Sequence, residues 1–195
     1  MIGAIVLAAG ASSRMGRPKA LLTIEPGGPN FVSAIEDTLR ASGIPTWRVV
    51  VAPGFAPKAD RTVVNPDPSV GMLSSVQCGL RSFGEALDAA FVWPIDHPLV
   101  RPETIVAMIA AFKEREAPIV VPTYGGRRGH PVLFAARVFP ELYAADPSRG
   151  ARVVVHAHDD RLELPVTDRG VTHDIDTPDD YERVFGRPLP LLEVR

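Results

Sequence analysis

The chain has 195 residues, of which 46% are hydrophobic and 23% are charged. These values are typical of soluble globular proteins and argue against a disordered or fibrous chain. The length fits one domain, so we expect a single domain over residues 1–195. The formal net charge is only −2 and like charges do not form runs, which argues against nucleic acids and membrane surfaces as partners.

The single cysteine, Cys78, excludes an internal disulfide and a thiolate metal cluster. The apolar start of the chain is followed, not preceded, by basic residues, which is the wrong order for a secretory signal. Apolar stretches also fall well short of the ~20 residues that a membrane span needs. We therefore expect a cytoplasmic protein.

Short apolar runs alternate along the chain with amphipathic segments, and this alternation predicts an α/β fold with buried parallel strands. The predicted strands are Ile2–Leu7, Arg48–Ala52, Thr62–Val64, Ala90–Ile95, Ile119–Pro122 and Leu162–Val166. The predicted helices are Phe31–Ser42, Leu73–Phe83 and Pro102–Glu116, with another after Pro178. The segment Tyr124–Asp146 begins with a glycine-rich stretch and is predicted to be a small insertion that shapes a ligand site, with an extended pattern over Pro131–Phe134.

The loop after the first strand has the composition of a phosphate-binding loop. Residues 7–19 combine small residues with three cations, and Gly10 and Gly16 allow backbone N–H groups to approach an anion closely. Pro18 restricts the backbone just before Lys19, which reduces the entropy cost of placing that ammonium group. The spacing matches neither the P-loop of ATPases nor a dinucleotide-binding GxGxxG motif. An ordinary surface turn is the alternative interpretation.

Two acidic sites follow apolar segments further along the chain. Asp96 ends an apolar strand, at the edge of a parallel sheet where such folds bind ligands. Asp174 and Asp176 lie on one side of an extended segment before Pro178. Mg²⁺ prefers oxygen ligands and often takes only one or two carboxylates, so Asp96 and Asp176 suffice for a magnesium site. Helix capping and a solvated acidic turn are the alternatives.

Two further segments carry groups suited to a ligand. Asn65 precedes a predicted helix start that contains Gly71 and Ser75. Amides and hydroxyls in this position suit the base and ribose of a nucleotide. Simple helix capping is the alternative. The sequence Gly125-Gly126-Arg127-Arg128-Gly129-His130-Pro131 combines backbone freedom with two cations that suit an acceptor phosphate. Solvated arginines on an exposed turn are the alternative there.

The string L-A-A-G-A-S-S-R-M-G-R-P-K at residues 7–19 resembles the molybdenum-cofactor nucleotidyltransferase family within the NTP-transferase superfamily, whose signature is L-A-[AG]-G-x-S-x-R-M-G-x-x-K. The Asp96-His97-Pro98, Gly-His-Pro and Asp-x-Asp-Thr-Pro segments also resemble that family, so the resemblance spans almost the whole chain. It implies a Rossmann-like three-layer α/β/α fold with a mostly parallel mixed sheet.

The resemblance also implies roles for individual residues. The implied nucleotide-binding residues are Leu7, Ala8, Ala9, Gly10, Ser12, Arg14, Lys19, Asn65, Gly71 and Ser75, with Lys19 and Arg14 also catalytic. The implied Mg²⁺ ligands are Asp96 and Asp176. The implied acceptor-binding residues are His97, Arg127, Arg128 and His130.

The implied activity is Mg²⁺-dependent transfer of CMP from CTP to the phosphate of molybdopterin cofactor, because Ala9 gives the Leu-Ala-Ala-Gly form that leans towards cytidylyl transfer in the resembled family. The cytidylyl enzymes usually carry Asp-Gln-Pro where this chain has Asp96-His97-Pro98. Transfer of GMP or another nucleotide to a sugar phosphate or other small phosphate is the alternative activity, and a nucleotide-binding regulatory or assembly protein is the alternative of another class. Transient contact with a molybdoenzyme or its chaperone is a further implied partnership.

Overall fold

The computed structural model describes residues 1–54, 61–84 and 86–190. The strands are β1 (Ile2–Ala8), β2 (Thr46–Val51), β3 (Thr62–Val64), β4 (Ala89–Pro94), β5 (Ile119–Tyr124), β6 (Arg127–Arg128), β7 (Val132–Ala135) and β8 (Leu162–Pro165). The helices are α1 (Phe31–Ala41), α2 (Met72–Arg81), α3 (Pro102–Arg115), α4 (Phe139–Ala144), α5 (Arg152–Ala157) and α6 (Pro178–Phe185). Short 3₁₀ turns connect several of these elements.

The strands form one mixed sheet in which β1 lies between β2 and β4 and pairs with both in parallel. Strand β3 extends the sheet beyond β2, again in parallel. On the other side of β1, β7 lies between β4 and β5 and is antiparallel to both. Strand β6 is antiparallel to β5, and β8 is parallel to it. All the described strands except β6 and β7 therefore run in one direction, and their carboxyl ends meet at one edge.

Apolar side chains cover both faces of the sheet, and helices cover those side chains. On one face, α1, α3 and α6 pack through buried residues such as Phe31, Met108 and Tyr181. On the other face, α2, α4 and α5 supply residues such as Val76 and Leu142. Because successive side chains of a strand point to opposite faces, Trp93 of β4 belongs to the first core and its neighbour Val92 to the second. This arrangement confirms the predicted three-layer α/β/α fold.

The sequence predicted the element types well but misjudged the segment Tyr124–Asp146. That segment is not a peripheral insertion, because it contains β7, which lies inside the sheet, and the helix α4. All four residues of β7 are buried, as expected for a short apolar strand covered on both faces. Only the extended pattern over Pro131–Phe134 pointed to this strand.

The helix boundaries follow local capping chemistry. Asn30 caps α1, where its side chain accepts a hydrogen bond from the Ser33 amide at 2.9 Å. Helix α3 begins at Pro102 as predicted and ends before Glu116, which adopts a left-handed backbone conformation (φ 49°). In the residues that the structure describes, the helices are too short or too polar to cross a membrane.

Candidate nucleotide and metal site

A cleft of about 290 Å³ lies at the carboxyl edge of the sheet, beyond the ends of β1 and β4. Ligand sites form at this edge in open α/β sheets because the loops that leave the strands diverge there. The predicted site residues that line the cleft are Leu7, Ala9, Gly10, Ser12, Arg14, Lys19, Ser75, Asp96 and Asp176. The structure therefore brings together residues from the first loop, from α2, from the end of β4 and from the segment before α6.

The loop after β1 is folded back on itself by hydrogen bonds centred on Ser12. The Ser12 carbonyl accepts hydrogen bonds from the Met15 and Gly16 amides, and Ser12 itself has a positive φ of 50°. Its hydroxyl oxygen accepts a hydrogen bond from the Lys19 amide at 3.2 Å. Met15 is 2% exposed and anchors the loop in the core. These contacts turn the chain so that Lys19 returns to the cleft, where its side chain is buried.

The segment that carries Asp176 is attached directly to the end of β4. The Ile175 amide donates a hydrogen bond to the Asp96 carbonyl at 3.0 Å, which places the two acidic residues side by side. Helix α6 then begins at once, with a capping box formed by Thr177 and Asp180. Tyr181 is fully buried and donates a hydrogen bond from its hydroxyl to the Thr23 carbonyl at 2.7 Å. The position of Asp176 is thus fixed by backbone contacts on both sides.

Two cations face these carboxylates. The Lys19 Nζ atom lies 3.5 Å from Asp96 Oδ2 and also contacts Asp176 Oδ1. The Arg14 Nη2 atom lies 2.8 Å from Asp176 Oδ2, although the Arg14 side chain is largely exposed. The site therefore holds two carboxylates and two cations within one small volume, and further anions such as phosphates would find the cations already positioned.

Asp96 is ionised at neutral pH in this environment. Burial alone would raise its pKa, but the hydrogen bond with His97 and the Coulombic interactions with His97, Lys19 and His130 outweigh burial and lower the pKa to about 2. The bond joins His97 Nδ1 to Asp96 Oδ1 at 2.9 Å. The Trp93 indole donates to the His97 carbonyl at 3.0 Å and so helps to hold this residue beside the carboxylate.

The donor atoms suit a hard divalent cation. Asp96 and Asp176 offer carboxylate oxygens, which Mg²⁺ and Mn²⁺ prefer. Within residues 1–54, 61–84 and 86–190, no group of three His, Cys, Asp or Glu side chains has a geometry that could hold a metal ion. A cation at Asp96 and Asp176 would therefore take its remaining ligands from water and from substrate phosphates, as Mg²⁺ commonly does.

Three predicted nucleotide-binding residues do not line the cleft, namely Ala8, Asn65 and Gly71. Asn65 is 3% exposed, and its amide nitrogen donates to the hydroxyls of Ser74 and Ser75 at 2.8 and 2.9 Å. The amide group thus orients Ser75, which does line the cleft. Gly71 (φ 133°) permits a close approach of another segment, since a Cβ there would lie 2.3 Å from the Pro147 carbonyl oxygen.

The predicted acceptor-binding residues lie together next to Asp96. His97, Arg127, Arg128 and His130 line a second cavity of about 290 Å³ that also includes Asp96. The rings of His97 and His130 meet edge to face with centroids 4.9 Å apart. Arg127 and Arg128 are consecutive in β6 and so point in different directions. Arg128 is paired with Glu163, with Nη2 and Oε1 at 2.6 Å.

His130 is neutral at physiological pH. Burial and the Coulombic interaction with His97 lower its pKa to about 4, against the opposing effect of Asp96 and Asp174. Its Nδ1 atom is buried and has no hydrogen-bond partner among the described residues. A buried polar atom without a partner is costly, so this nitrogen lowers the stability of the folded state.

Sequence reasoning missed two residues that connect these cavities. Met72, at the start of α2, and Pro94, at the end of β4, line both the cleft at the carboxyl edge, the predicted nucleotide cleft, and the second cavity beside Asp96, the predicted acceptor cavity. Met72 is 59% exposed, so its side chain is accessible to a ligand in either cavity. An apolar residue at a predicted helix start gives no signal of this kind in the sequence.

Comparison with known families and structures identifies what the fold and cleft resemble. The model of the MobA-like NTP transferase domain matches residues 4–162. A curated relative from Mycobacterium avium strain 104, named "Probable molybdenum cofactor guanylyltransferase", is 29% identical over 170 residues, which is 84% of this chain and 86% of the relative. A protein of the same name from Mycobacterium tuberculosis H37Rv is 32% identical over 127 residues, or 64% of this chain and 63% of the relative.

Solved structures agree with this comparison. The crystal structure of Rv0371c from Mycobacterium tuberculosis H37Rv has a TM-score of 0.79 and 27% sequence identity, and the match covers 95% of this chain and 97% of that one. A manganese complex of Rv0371c has a TM-score of 0.76 at 27% identity, covering 95% of this chain and 98% of the other. Molybdopterin-guanine dinucleotide biosynthesis protein A from Archaeoglobus fulgidus has a TM-score of 0.70 at 19% identity, over 94% of this chain and 97% of that protein, and so supports the fold alone.

Proposed function

Because the chain belongs to the MobA-like NTP transferase family and is a nucleotidyltransferase, we propose that it transfers CMP from CTP to the phosphate of molybdopterin cofactor and releases pyrophosphate. The observation that carries this proposal is the convergence of Lys19, Asp96 and Asp176 on one point of the cleft. Relatives whose names refer to the molybdenum cofactor support the choice of acceptor.

In the proposed reaction, an oxygen of the acceptor phosphate forms a bond to the α-phosphorus of CTP. The bond between that phosphorus and the bridging oxygen to the β-phosphate breaks, and pyrophosphate leaves with the electron pair. The nucleophile is already an anion at neutral pH, so no side chain has to remove a proton from it. Catalysis then depends on positioning and on neutralising negative charge, rather than on general base catalysis.

The side chains of the cleft supply these functions. Lys19 is buried and held at the first loop, so it would bind triphosphate oxygens with little loss of side-chain entropy. Arg14 is largely exposed and would bind phosphate from the open side of the cleft. A Mg²⁺ ion held by Asp96 and Asp176 would neutralise charge on the triphosphate. His97 and His130, beside Asp96, are in position to contact the acceptor phosphate.

Ala9 supports CTP as the nucleotide. Its methyl group lines the cleft in a position that is 3% exposed, and the occupied space favours a pyrimidine over a larger purine. GTP is the second candidate, because the curated relatives are named guanylyltransferases. The two nucleotides differ in size and in hydrogen-bonding edges, so direct competition between them would discriminate the candidates.

A transfer assay tests the proposal. The purified protein would be incubated with Mg²⁺, one NTP at a time and molybdopterin cofactor, followed by measurement of pyrophosphate and identification of the product by mass spectrometry. We expect pyrophosphate and a cytidine dinucleotide product with CTP. A guanine dinucleotide with GTP alone would contradict the cytidylyl assignment. Product formation from a sugar phosphate but not from molybdopterin would contradict the acceptor assignment, and NTP binding without product from any acceptor would contradict the catalytic role.

A further inference from the structure

An apolar cavity of about 440 Å³ opens beside His130, on the face of the sheet that carries α2 and α5. Its buried floor consists of Val76, Val92, Val121, Val132, Phe134 and Val155. These residues come from three adjacent strands and two helices. The volume and apolar lining are those of a pocket for a small ligand rather than of a gap in the core.

The wall of this cavity is held in place by specific contacts. The Gln77 side-chain nitrogen, on α2, donates to the carbonyls of Leu142 and Ala145 at 2.9 and 3.2 Å. A few residues further on, the Pro147 carbonyl packs against Gly71, where any side chain would clash. The segment that leads from α4 to α5 is therefore attached to α2 at two points. These contacts fix the position of the residues from Ser148 to Arg152, which form one rim of the cavity.

The rim carries two cations, Arg149 and Arg152, and the charge of Arg149 acts on the nearby Asp146 carboxylate. Arg149 and Arg152 line the cavity and are exposed. Neither guanidinium makes an ion pair or a side-chain hydrogen bond with any residue of the described ranges, whereas Arg128 on the opposite rim is paired with Glu163. Two exposed guanidinium groups that form no ion pair within 4 Å, above an apolar floor, favour a ligand that has both an apolar body and negative charge.

The apolar cavity is continuous with the reaction site. It shares Met72 and Pro94 with the nucleotide cleft. It shares Arg128, Gly129 and His130 with the acceptor cavity, which contains Asp96 and His97. A molecule whose phosphate lies beside His97 would thus extend its remaining part past His130 into the apolar cavity.

We propose that this cavity binds the ring body of the acceptor, and that Arg149 and Arg152 bind a second anionic group on it, separate from the phosphate that reacts. This inference rests on the proposed transfer to a phosphate-bearing acceptor. A flat fused heterocycle matches the floor, because its apolar faces pack against Phe134 and the valines. His130 lies where this cavity meets the acceptor cavity.

Binding of 6-carboxypterin, a fluorescent flat heterocycle with one carboxylate, tests the proposal. Fluorescence quenching would be titrated for the wild type, for the double variant Arg149→Gln/Arg152→Gln and for the control Arg115→Gln, which alters an exposed arginine on α3. We expect saturable binding of 6-carboxypterin to the wild type and to the control. The Kd of the double variant should be at least about tenfold higher. Absence of saturable quenching by the wild type, or equal affinities for all three proteins, would overturn the proposal.

A second variant tests the floor of the cavity. Val155→Phe places a larger side chain in the apolar volume and should abolish 6-carboxypterin binding while leaving the affinity for CTP with Mg²⁺, measured by calorimetry, unchanged. Thermal melting of each variant would show whether it is folded. Retained binding by a folded Val155→Phe protein, or displacement of the probe by CTP in direct competition, would place the probe elsewhere and overturn the proposal.

The transfer assay separates this inference from the proposed function. Transfer by the wild type, combined with an unchanged KM for the acceptor in the double arginine variant, would overturn the assignment of the cavity and leave the proposed function intact. Absence of transfer by the wild type from any NTP, combined with arginine-dependent binding of 6-carboxypterin, would overturn the proposed function and support the cavity as a heterocycle site. In the double arginine variant, a raised KM for the acceptor with an unchanged KM for CTP supports both the proposed function and the assignment of the cavity.

Discussion

The ammonium group of Lys19 lies 3.5 Å from the carboxylate of Asp96 and also contacts Asp176. These residues come from the first loop, from the end of β4 and from the segment before α6. The lysine therefore neutralises two acidic groups that would otherwise repel each other in a partly buried place. A metal-bound triphosphate would bring its metal ion to these carboxylates and its phosphate oxygens to Lys19. When substrate binds, the carboxylates would therefore exchange Lys19 for the metal ion, and Lys19 would exchange the carboxylates for phosphate.

Replacement of Lys19 should remove most of the activity. Lys19→Ala takes away a buried cation that would face the triphosphate in the proposed complex, and loss of one group of this kind typically raises the barrier by about 3–4 kcal/mol. We expect kcat to fall by roughly 10²–10³-fold in a pyrophosphate-release assay. Lys113→Ala, at an exposed position on α3, is the matched control and should keep wild-type activity. Turnover near the wild-type rate in a folded Lys19→Ala protein would remove Lys19 from the mechanism.

The fold and much of the site followed from the sequence because their signals are local. The loop composition after β1 placed Lys19, and the rule that parallel strands end at one edge placed Asp96 in the cleft. The interior strand β7 was read as part of an insertion, since a buried run of four residues is too short to show a period. Arg149 and Arg152 gave no signal, because their role depends on the floor that distant strands place beneath them.

The positions of individual polar groups also depended on contacts that sequence does not reveal. Asn65 was expected at the nucleotide, yet its side-chain amide donates hydrogen bonds to Ser74 and Ser75, and the residue does not line the cleft. Gly71 was expected to contact the ligand, and in the structure it accommodates the Pro147 carbonyl. In both cases the residue is next to the site along the chain, while tertiary packing decides which atoms face the cleft.

Removal of the methyl group of Ala9 should shift nucleotide preference. Ala9→Gly enlarges the cleft by one methyl group, and a single group of that size in a binding pocket typically changes discrimination by about tenfold or more. We expect the ratio of kcat/KM for CTP to that for GTP to fall by roughly tenfold. Competition assays with both nucleotides present would measure the ratio directly. An unchanged ratio would show that Ala9 does not determine base size.

His130 predicts a pH dependence of stability. Its pKa is about 4 in the folded protein and near 6.5 in an unfolded chain, so the unfolded state binds a proton first as pH falls. The free energy of unfolding should therefore decrease as pH falls from about 6.5 to about 4, by on the order of 2–3 kcal/mol from this residue. Urea unfolding at several pH values measures the slope.

The variant His130→Asn should flatten this slope, because asparagine does not titrate. The exposed residue His156 offers a matched control, and His156→Asn should keep the wild-type slope because it leaves His130 in place. Identical slopes for wild type and His130→Asn would show that His130 is protonated as readily in the folded protein as in the unfolded chain.

Asp168 should support the site from outside it. Its side chain is buried and accepts hydrogen bonds from the Arg101 amide, the Thr104 hydroxyl and the Gly170 amide at 2.8, 2.8 and 2.9 Å. These bonds attach the turn at 169–172, which leads to Asp176, to the start of α3. Asp168→Asn replaces an acceptor oxygen by a donor and should lower the free energy of unfolding by about 1.5–3 kcal/mol.

Urea unfolding compares this variant with Asp159→Asn, which changes an exposed aspartate and should unfold like the wild type. We also expect the apparent Kd for Mg²⁺ during turnover to rise in Asp168→Asn, since the turn positions Asp176. Wild-type stability together with an unchanged Mg²⁺ requirement would show that these hydrogen bonds do not hold the site.

The most direct test of the account is whether one metal ion depends on both aspartates in the presence of nucleotide. Electron paramagnetic resonance of Mn²⁺ would be recorded during titration of the protein with a non-hydrolysable CTP analogue, for the wild type, Asp96→Asn, Asp176→Asn and the exposed control Asp37→Asn. We predict one tightly bound Mn²⁺ in the wild type and control, and at least tenfold weaker binding in each site variant. Equal Mn²⁺ affinity in all four proteins would contradict a metal-bound triphosphate between Asp96 and Asp176.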